Sequence, residues 1–248
     1  MGSRLGKAVG ALVCAAALQG PVSAMAADWD VHRIGRNFDL VNLDEAELAR
    51  RSIKVLHLGK LELQSGRIVA TDPLVQPERA PFERTVPPGD FPVTVYEAQG
   101  RVAAAVVRFG EGRPERWGLA TVAGQKLGEL KGDLFFGYGV DAGTGSFMDA
   151  DTPALMQQRL EIEMKTRHND DVNYYDHVLA ADIDSATASV IHRPIEGKRG
   201  NVAVFTSGWG DGYYPTFWGL AASGRPLVLM TDFFVIENAD GNREPANP

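Results

Sequence analysis

The stretch Val93-Thr94-Val95-Tyr96-Glu97-Ala98-Gln99-Gly100-Arg101-Val102-Ala103-Ala104-Ala105-Val106-Val107-Arg108-Phe109 decides the fold class. Its first five residues alternate apolar and polar side chains, the period of a strand with one face on a core. Gln99-Gly100 supplies a tight turn, and residues 102–109 return as an almost wholly apolar run. The pattern is a β-hairpin whose second strand is the more central of the two. Glu111-Gly112-Arg113-Pro114 turns the chain again, and residues 116–122 read as a third strand of a meander. Helix competes poorly here, because valine and aromatic side chains lose rotamer freedom in a helix and fit a pleated surface well.

Upstream of the hairpin, residues 73–92 hold six of the chain's fourteen prolines. Proline fixes φ and removes a ladder donor, so this stretch is loop rather than central sheet. Apolar Leu74, Val75, Phe82 and Val86 recur through it, which predicts an ordered loop and not a domain linker. Residues 66–71 form a strand opened by Gly66 and closed by Asp72-Pro73. Ile53, Val55, Leu56 and Leu58 mark a buried segment of open element type, and residues 43–49 one or two helical turns capped by Asn42 or Asp44.

Downstream, residues 152–167 are the clear helix, with Thr152 as cap and Pro153 at the first helical position. Leu155, Met156, Leu160 and Met164 form a narrow apolar stripe, so the helix should cover a sheet. Residues 174–181 suggest a short helical turn, while 188–192, 202–206 and 227–236 read as strands. The expected fold is mainly β (α+β): an antiparallel β-sandwich or curled sheet with one covering α-helix.

Charge and targeting narrow the function. Arg4 and Lys7 precede an uncharged apolar run at residues 8–18, and Ala24-Met25-Ala26 offers a small-x-small cleavage site. This is the grammar of a signal peptide over residues 1–26, too short in its apolar part to span a bilayer. Residues 27–248 then form a single β-rich domain ending in a polar tail at 238–248. Loss of Arg4 and Lys7 leaves 23 basic against 32 acidic residues, a formal charge of −9, and loss of Cys14 leaves no cysteine. An exported protein in the periplasm or outside the cell is expected, held by its core without disulfides. Its acidity disfavours nucleic acid and anionic membranes as general partners, and no later segment predicts stable membrane insertion. A small molecule or a protein remains as the partner.

Two segments depart from ordinary core: residues 137–149 and residues 207–219, each dense in glycine and aspartate. Such glycines permit close backbone approach, and aspartate oxygens can ligate a hard cation such as Ca or Mg. The candidate metal ligands are Asp141, Asp149, Asp151 and Asp211, and the candidate ligand-binding residues Gly143, Thr144, Gly145, Trp209, Gly210 and Tyr213. Against this stands the plain reading of Gly-Asp-Gly as an Asx turn. Neither segment has the spacing of an EF-hand, a dinucleotide fingerprint or a phosphate loop. Trp209, Tyr213, Tyr214, Phe217 and Trp218 crowd five rings into ten residues, suited to lining a cleft or to sealing the end of a sandwich.

An acidic hydrolase centre would draw on Asp141, Asp149 and Asp211, with His168 or His177 as base. His168 just follows the helix, where a cap is the simpler role. Ser207-Gly208-Trp209-Gly210 is not a nucleophile elbow.

Five blocks of the sequence carry a resemblance. Residues 66–74 (Gly-Arg-Ile-Val-Ala-Thr-Asp-Pro-Leu), 87–93 (Pro-Pro-Gly-Asp-Phe-Pro-Val) and 140–149 are similar to successive blocks of a bacterial family, domain of unknown function number 4241. Residues 207–215 and Thr231-Asp232-Phe233-Phe234-Val235-Ile236 resemble its C-terminal block. The likeness covers about residues 60–237 and implies one continuous domain, and it transfers no activity or functional residue. The leading expectation is a non-catalytic exported domain that binds a small ligand or divalent cation through its glycine- and aspartate-rich loops. A secreted hydrolase and a protein-interaction or toxin-associated module are the alternatives.

Overall fold

The computed structural model describes residues 29–183 and 187–236. The leader at 1–26 and the tail at 238–248 lie outside the described residues. The chain folds as mostly antiparallel β-sheets packed together, with one long helix over them. A six-stranded sheet runs in the order β1 (Lys54–Leu63), β3 (Gly89–Ala98), β4 (Arg101–Arg108), β12 (Pro226–Asp232), β11 (Thr216–Leu220), β5 (Arg116–Leu119). A four-stranded sheet has the order β2 (Ile68–Thr71), β7 (Thr144–Asp149), β9 (Val202–Thr206), β8 (Val190–His192). A two-stranded ladder joins β6 (Tyr138–Val140) to β10 (Gly212–Tyr214).

Strand alternation builds three layers. On β7 and β9, Phe147, Ala203 and Phe205 enter the large core shared with Val95, Ala103 and Ala105 of the six-stranded sheet. Their neighbours Met148, Val202 and Val204 point the other way, into a smaller core with Met156 and Leu179. Met156 belongs to the long helix Thr152–Arg167, which covers the small sheet as its stripe predicts. The outer face of the large sheet is closed by the N-terminal segment. Phe38 stacks on Trp117 at 4.2 Å and meets Phe217 edge-on, and Arg108 donates to the Val41 carbonyl at 2.7 Å. Hence residues 102–107 are apolar without alternation: core lies on both sides of β4.

The predicted hairpin is β3–β4, and its turn residues Gln99 and Gly100 both have positive φ, 55° and 71°. The ordered proline loop holds as well: Phe82 and Val86 are buried, although Val75 is exposed. Residues 54–63, of open type by sequence, form the long edge strand β1, and Asp44 closes a capping box with Glu47 on a short helix, Glu45–Arg50. A π-helical turn, Tyr175–Leu179, stands where a short helical turn was expected.

Three expectations need correction. The third strand does not continue a meander, since β12 and β11 stand between β4 and β5. The central β4 is apolar on both faces and takes the equally apolar β12, leaving β5, with its exposed Arg116, at the edge. The helix cap falls one residue early, at Asp151, with Thr152 buried beneath it and no side-chain capping bond. The last strand ends at Asp232 rather than 236, because the Asp232 carboxylate accepts from the Phe234 N–H at 2.9 Å and Phe234 takes φ 57°.

Candidate functional site

The two glycine-rich segments meet. β6 and β10 pair with Tyr214 opposite Tyr138 and Gly212 opposite Val140, and the Ser207 N–H donates to the Gly143 carbonyl at 3.1 Å. The close approach explains one glycine directly: a Cβ on Gly137 would sit 2.3 Å from the Tyr214 carbonyl oxygen. Arg79, from the proline loop, donates to the Gly137 carbonyl at 2.6 Å, and burial lowers its pKa from the usual arginine value.

The organiser of this region is a residue the sequence reading passed over. Asp72 is fully buried at the end of β2. One carboxylate oxygen accepts from the Asp141 and Ala142 N–H groups at 3.0 and 2.7 Å, the other from the Leu74 N–H at 3.0 Å and the Thr144 hydroxyl at 3.1 Å. Four donors on one carboxylate fix the turn into β7. The sequence shows Asp72 only as a strand-closing Asp-Pro, and nothing local announces donors some seventy residues away.

The predicted metal ligands separate into two kinds. Asp149 is buried and accepts from the Ser65 N–H and hydroxyl and from the Asp151 N–H. Asp151 is exposed and pairs with Arg67 at 2.9 Å. Asp141 and Asp211 are exposed at the same end of the β6–β10 ladder, each next to the Val140–Gly212 pair. Among the described residues no three His, Cys, Asp or Glu side chains gather as a metal site. His168 is the helix cap in left-handed conformation, φ 50°, its N–H donating to the Lys165 carbonyl. His177 Nδ1 lies 3.1 Å from the Asn173 carbonyl. Neither histidine has a hydrogen bond to Asp141 or Asp211.

The rings divide likewise. Tyr214, Phe217 and Trp218 are buried in the core, and Tyr213 packs on Phe135 while its hydroxyl accepts from the Gly137 N–H. Trp209 alone is open, 46% exposed. It borders a cleft of about 360 Å³ lined by Glu97, Arg101, Gly143, Thr206, Gly208 and Gly210 among others. Gly143, Trp209 and Gly210 are therefore brought to one cleft, whereas Thr144 and Gly145 are buried in β7 and Tyr213 does not line it. The Arg101 guanidinium lies 4.6 Å over the Trp209 ring and donates to the Gly208 carbonyl at 3.1 Å. The Ser207 hydroxyl donates to the Gly210 carbonyl at 2.7 Å, which Tyr214 also reaches at 3.0 Å, so this turn is braced from both sides. Glu97 and Arg101 belong to the hairpin and carried no functional signal in the sequence.

A second polar cluster also went unread. His192, 2% exposed, places Nδ1 2.6 Å from Asp182 and Nε2 2.7 Å from the Tyr174 hydroxyl. With the proton on Nδ1, the imidazole donates to the carboxylate and accepts from the phenol. Burial lowers the His192 pKa and raises that of Tyr174. The trio ties the π-helical turn to β8.

Fold and site together define a layered, antiparallel β protein with an aromatic-edged cleft where its two glycine-rich segments meet. The family model described as Protein of unknown function (DUF4241) matches residues 61–231, and the chain belongs to that family. No curated protein and no solved structure matches the chain.

Proposed function

We propose that the protein is exported and acts as a non-catalytic binding domain, holding a small organic ligand in the cleft beside Trp209. One observation carries this reading. Trp209 is a large ring left 46% exposed and held under the Arg101 guanidinium, at the wall of a cleft of about 360 Å³. That volume falls within the range of small-molecule sites, and a rigid aromatic wall gives contact area at small entropic cost. Of the segment's other rings, Tyr214, Phe217 and Trp218 are buried in the core and Tyr213 packs on Phe135, so Trp209 is the ring most open to a ligand.

The cation version of the reading has less to build on. The Asp72 and Asp149 carboxylates are already filled by protein donors. A hydrolytic centre has less still, since the Ser207 hydroxyl is engaged by Gly210 and neither Asp141 nor Asp211 lines the cleft. For location, the charged, apolar and small-x-small order of residues 1–26 supports export. Among the described residues no helix is long and apolar enough to cross a membrane.

The test is a screen of the mature chain by tryptophan fluorescence and thermal melting against amino acids, saccharides, nucleotides and small organic acids. At least one class should quench fluorescence and raise the melting temperature, and Trp209→Ala should remove both effects. A shift that survives Trp209→Ala unchanged, or silence from every class, overturns the proposal.

A further inference from the structure

We infer that the ligand of this cleft is a small monocarboxylate, its carboxylate held by the fork of Arg101 and its body lying against Trp209. The inference rests on the cleft reading and adds the ligand's chemistry to it.

Arg101 is fixed before any ligand arrives. One guanidinium nitrogen donates to the Gly208 carbonyl at 3.1 Å, and the group lies 4.6 Å over the indole. These contacts hold a long side chain that would otherwise lose rotamer freedom on binding, and they leave further N–H donors unused. No carboxylate among the described residues forms an ion pair with it, in a chain of formal charge −7.

The hairpin register explains why the acid beside it does not neutralise it. Arg101 stands opposite Ala98, and Glu97 opposite Val102. Cross-strand partners share a face and successive residues alternate, so Glu97 and Arg101 leave the hairpin on opposite faces. Although both residues contribute to the cleft wall, no ion pair forms between them. The cleft therefore contains an exposed cation that, among the described residues, has no carboxylate partner.

The charge count selects the anion. Among the described residues Arg101 is the one Lys or Arg in the cleft lining and Glu97 the one acid, so a single negative charge suits the cleft better than a phosphate dianion. A planar carboxylate also matches two parallel N–H bonds of the guanidinium. The indole supplies the second contact, for a ring or other apolar body attached to that carboxylate.

The experiment is calorimetry on the mature chain with benzoate, N-acetylphenylalanine, phenyl phosphate and benzamide at millimolar concentrations, with melting curves alongside. Benzoate or N-acetylphenylalanine should bind, benzamide should not, and phenyl phosphate should bind more weakly than the carboxylates. Arg101→Lys keeps the charge but loses the fork, and it should weaken carboxylate binding at least tenfold. Arg101→Ala should abolish it while lowering the melting temperature of the unliganded protein by no more than about 4 °C, the loss of one hydrogen bond and one exposed cation–π contact. Silence of both carboxylates, or equal binding of benzoate and benzamide, overturns the inference. If the wider screen finds a neutral ligand that needs Trp209 but not Arg101, the cleft reading stands and the carboxylate falls. If nothing that binds depends on Trp209, both fall.

Discussion

Replacing Asp72 is the sharpest perturbation of the region that holds the cleft together. The side chain is fully buried, and its two oxygens accept four hydrogen bonds from Leu74, Asp141, Ala142 and Thr144. Asp72→Ala leaves three N–H groups and a buried hydroxyl without their acceptor. A buried donor left unpaired costs about 1–3 kcal/mol, and a simple sum over four would overshoot. Asp141 and Ala142 are exposed and regain water, so the main losses are at Leu74 and Thr144. The expected destabilisation is about 3–5 kcal/mol, a large share of the roughly 5–15 kcal/mol available to a domain. Asp72→Asn keeps the shape and one oxygen, which can serve the Asp141 and Ala142 N–H groups. Its amide nitrogen then faces the Leu74 N–H, while the Thr144 hydroxyl can turn to accept, so about one bond is lost, or about 1–2 kcal/mol. Urea unfolding at neutral pH should order the midpoints wild type, Asn, Ala, with unchanged slope. In hydrogen exchange, the Asp141 and Ala142 amides should lose protection in Asp72→Ala. An alanine variant within about 1 kcal/mol of wild type would refute the claim that this carboxylate organises the turn.

Gly137→Ala forces a Cβ to within 2.3 Å of the Tyr214 carbonyl oxygen and should cost upwards of about 2 kcal/mol in urea unfolding. Gly139→Ala, two residues along with open space at its Cβ, should stay within about 1 kcal/mol; equal costs would sink the close-approach argument. Burial raises the pKa of Asp232 to about 6, well above the usual aspartate range, against the Phe234 and Asn37 donors that lower it. The folded state then holds that proton more tightly than the unfolded chain, so this contribution is full below pH 4 and is lost as pH rises towards 6. The stability of Asp232→Asn relative to wild type should therefore climb across that window by at most about 3 kcal/mol, and a flat difference would refute it. Glu62 behaves oppositely: its two bonds to Arg193, helped by the Gly200 N–H, hold its pKa down at about 2. Its contribution is present above pH 4.5 and is lost as pH falls towards 2, so the gap between wild type and Glu62→Gln should close on acidification, as followed by urea midpoints.

The parts of this fold that were legible in the sequence are those with local causes. The β3–β4 hairpin follows from alternation and a Gln-Gly turn, and the long helix at 152–167 from its proline and unbroken helical run. Pairing order is not local. Residues 116–119 look like the next strand of a meander, and only the two-sided burial of β4 shows why β12 takes that place. The site divides the same way. Gly143, Trp209 and Gly210 could be named because glycine density and a tryptophan stand out in sequence. Arg101 could not, because which face it leaves the hairpin on depends on register, and its partners Gly208 and Trp209 lie over a hundred residues away. His192, Asp182 and Tyr174 were invisible for a related reason: three common residues acquire meaning only when β8 is laid beside the π-helical turn.

The aspartates and glycines that first suggested a binding site turn out to have two separate jobs. Asp149 spends its acceptors on the Ser65 and Asp151 turns, Asp151 pairs with Arg67, and Gly137 makes room for the neighbouring strand, so much of the unusual composition is consumed in building the fold. What a ligand can use is the remainder that this construction leaves unspent. Trp209 is a ring outside the core, Arg101 a cation without an anion among the described residues, and both are held by the braced turn at 207–210. A site of this kind has a consequence for mutation. Changes at Asp72 or Gly137 should alter binding and stability together, whereas changes at Arg101 or Trp209 should abolish binding at a cost in stability of about 1 kcal/mol or less. That separation distinguishes a cleft built for a ligand from an exposed tryptophan that merely caps the sandwich, because a cap would register in the melting temperature first.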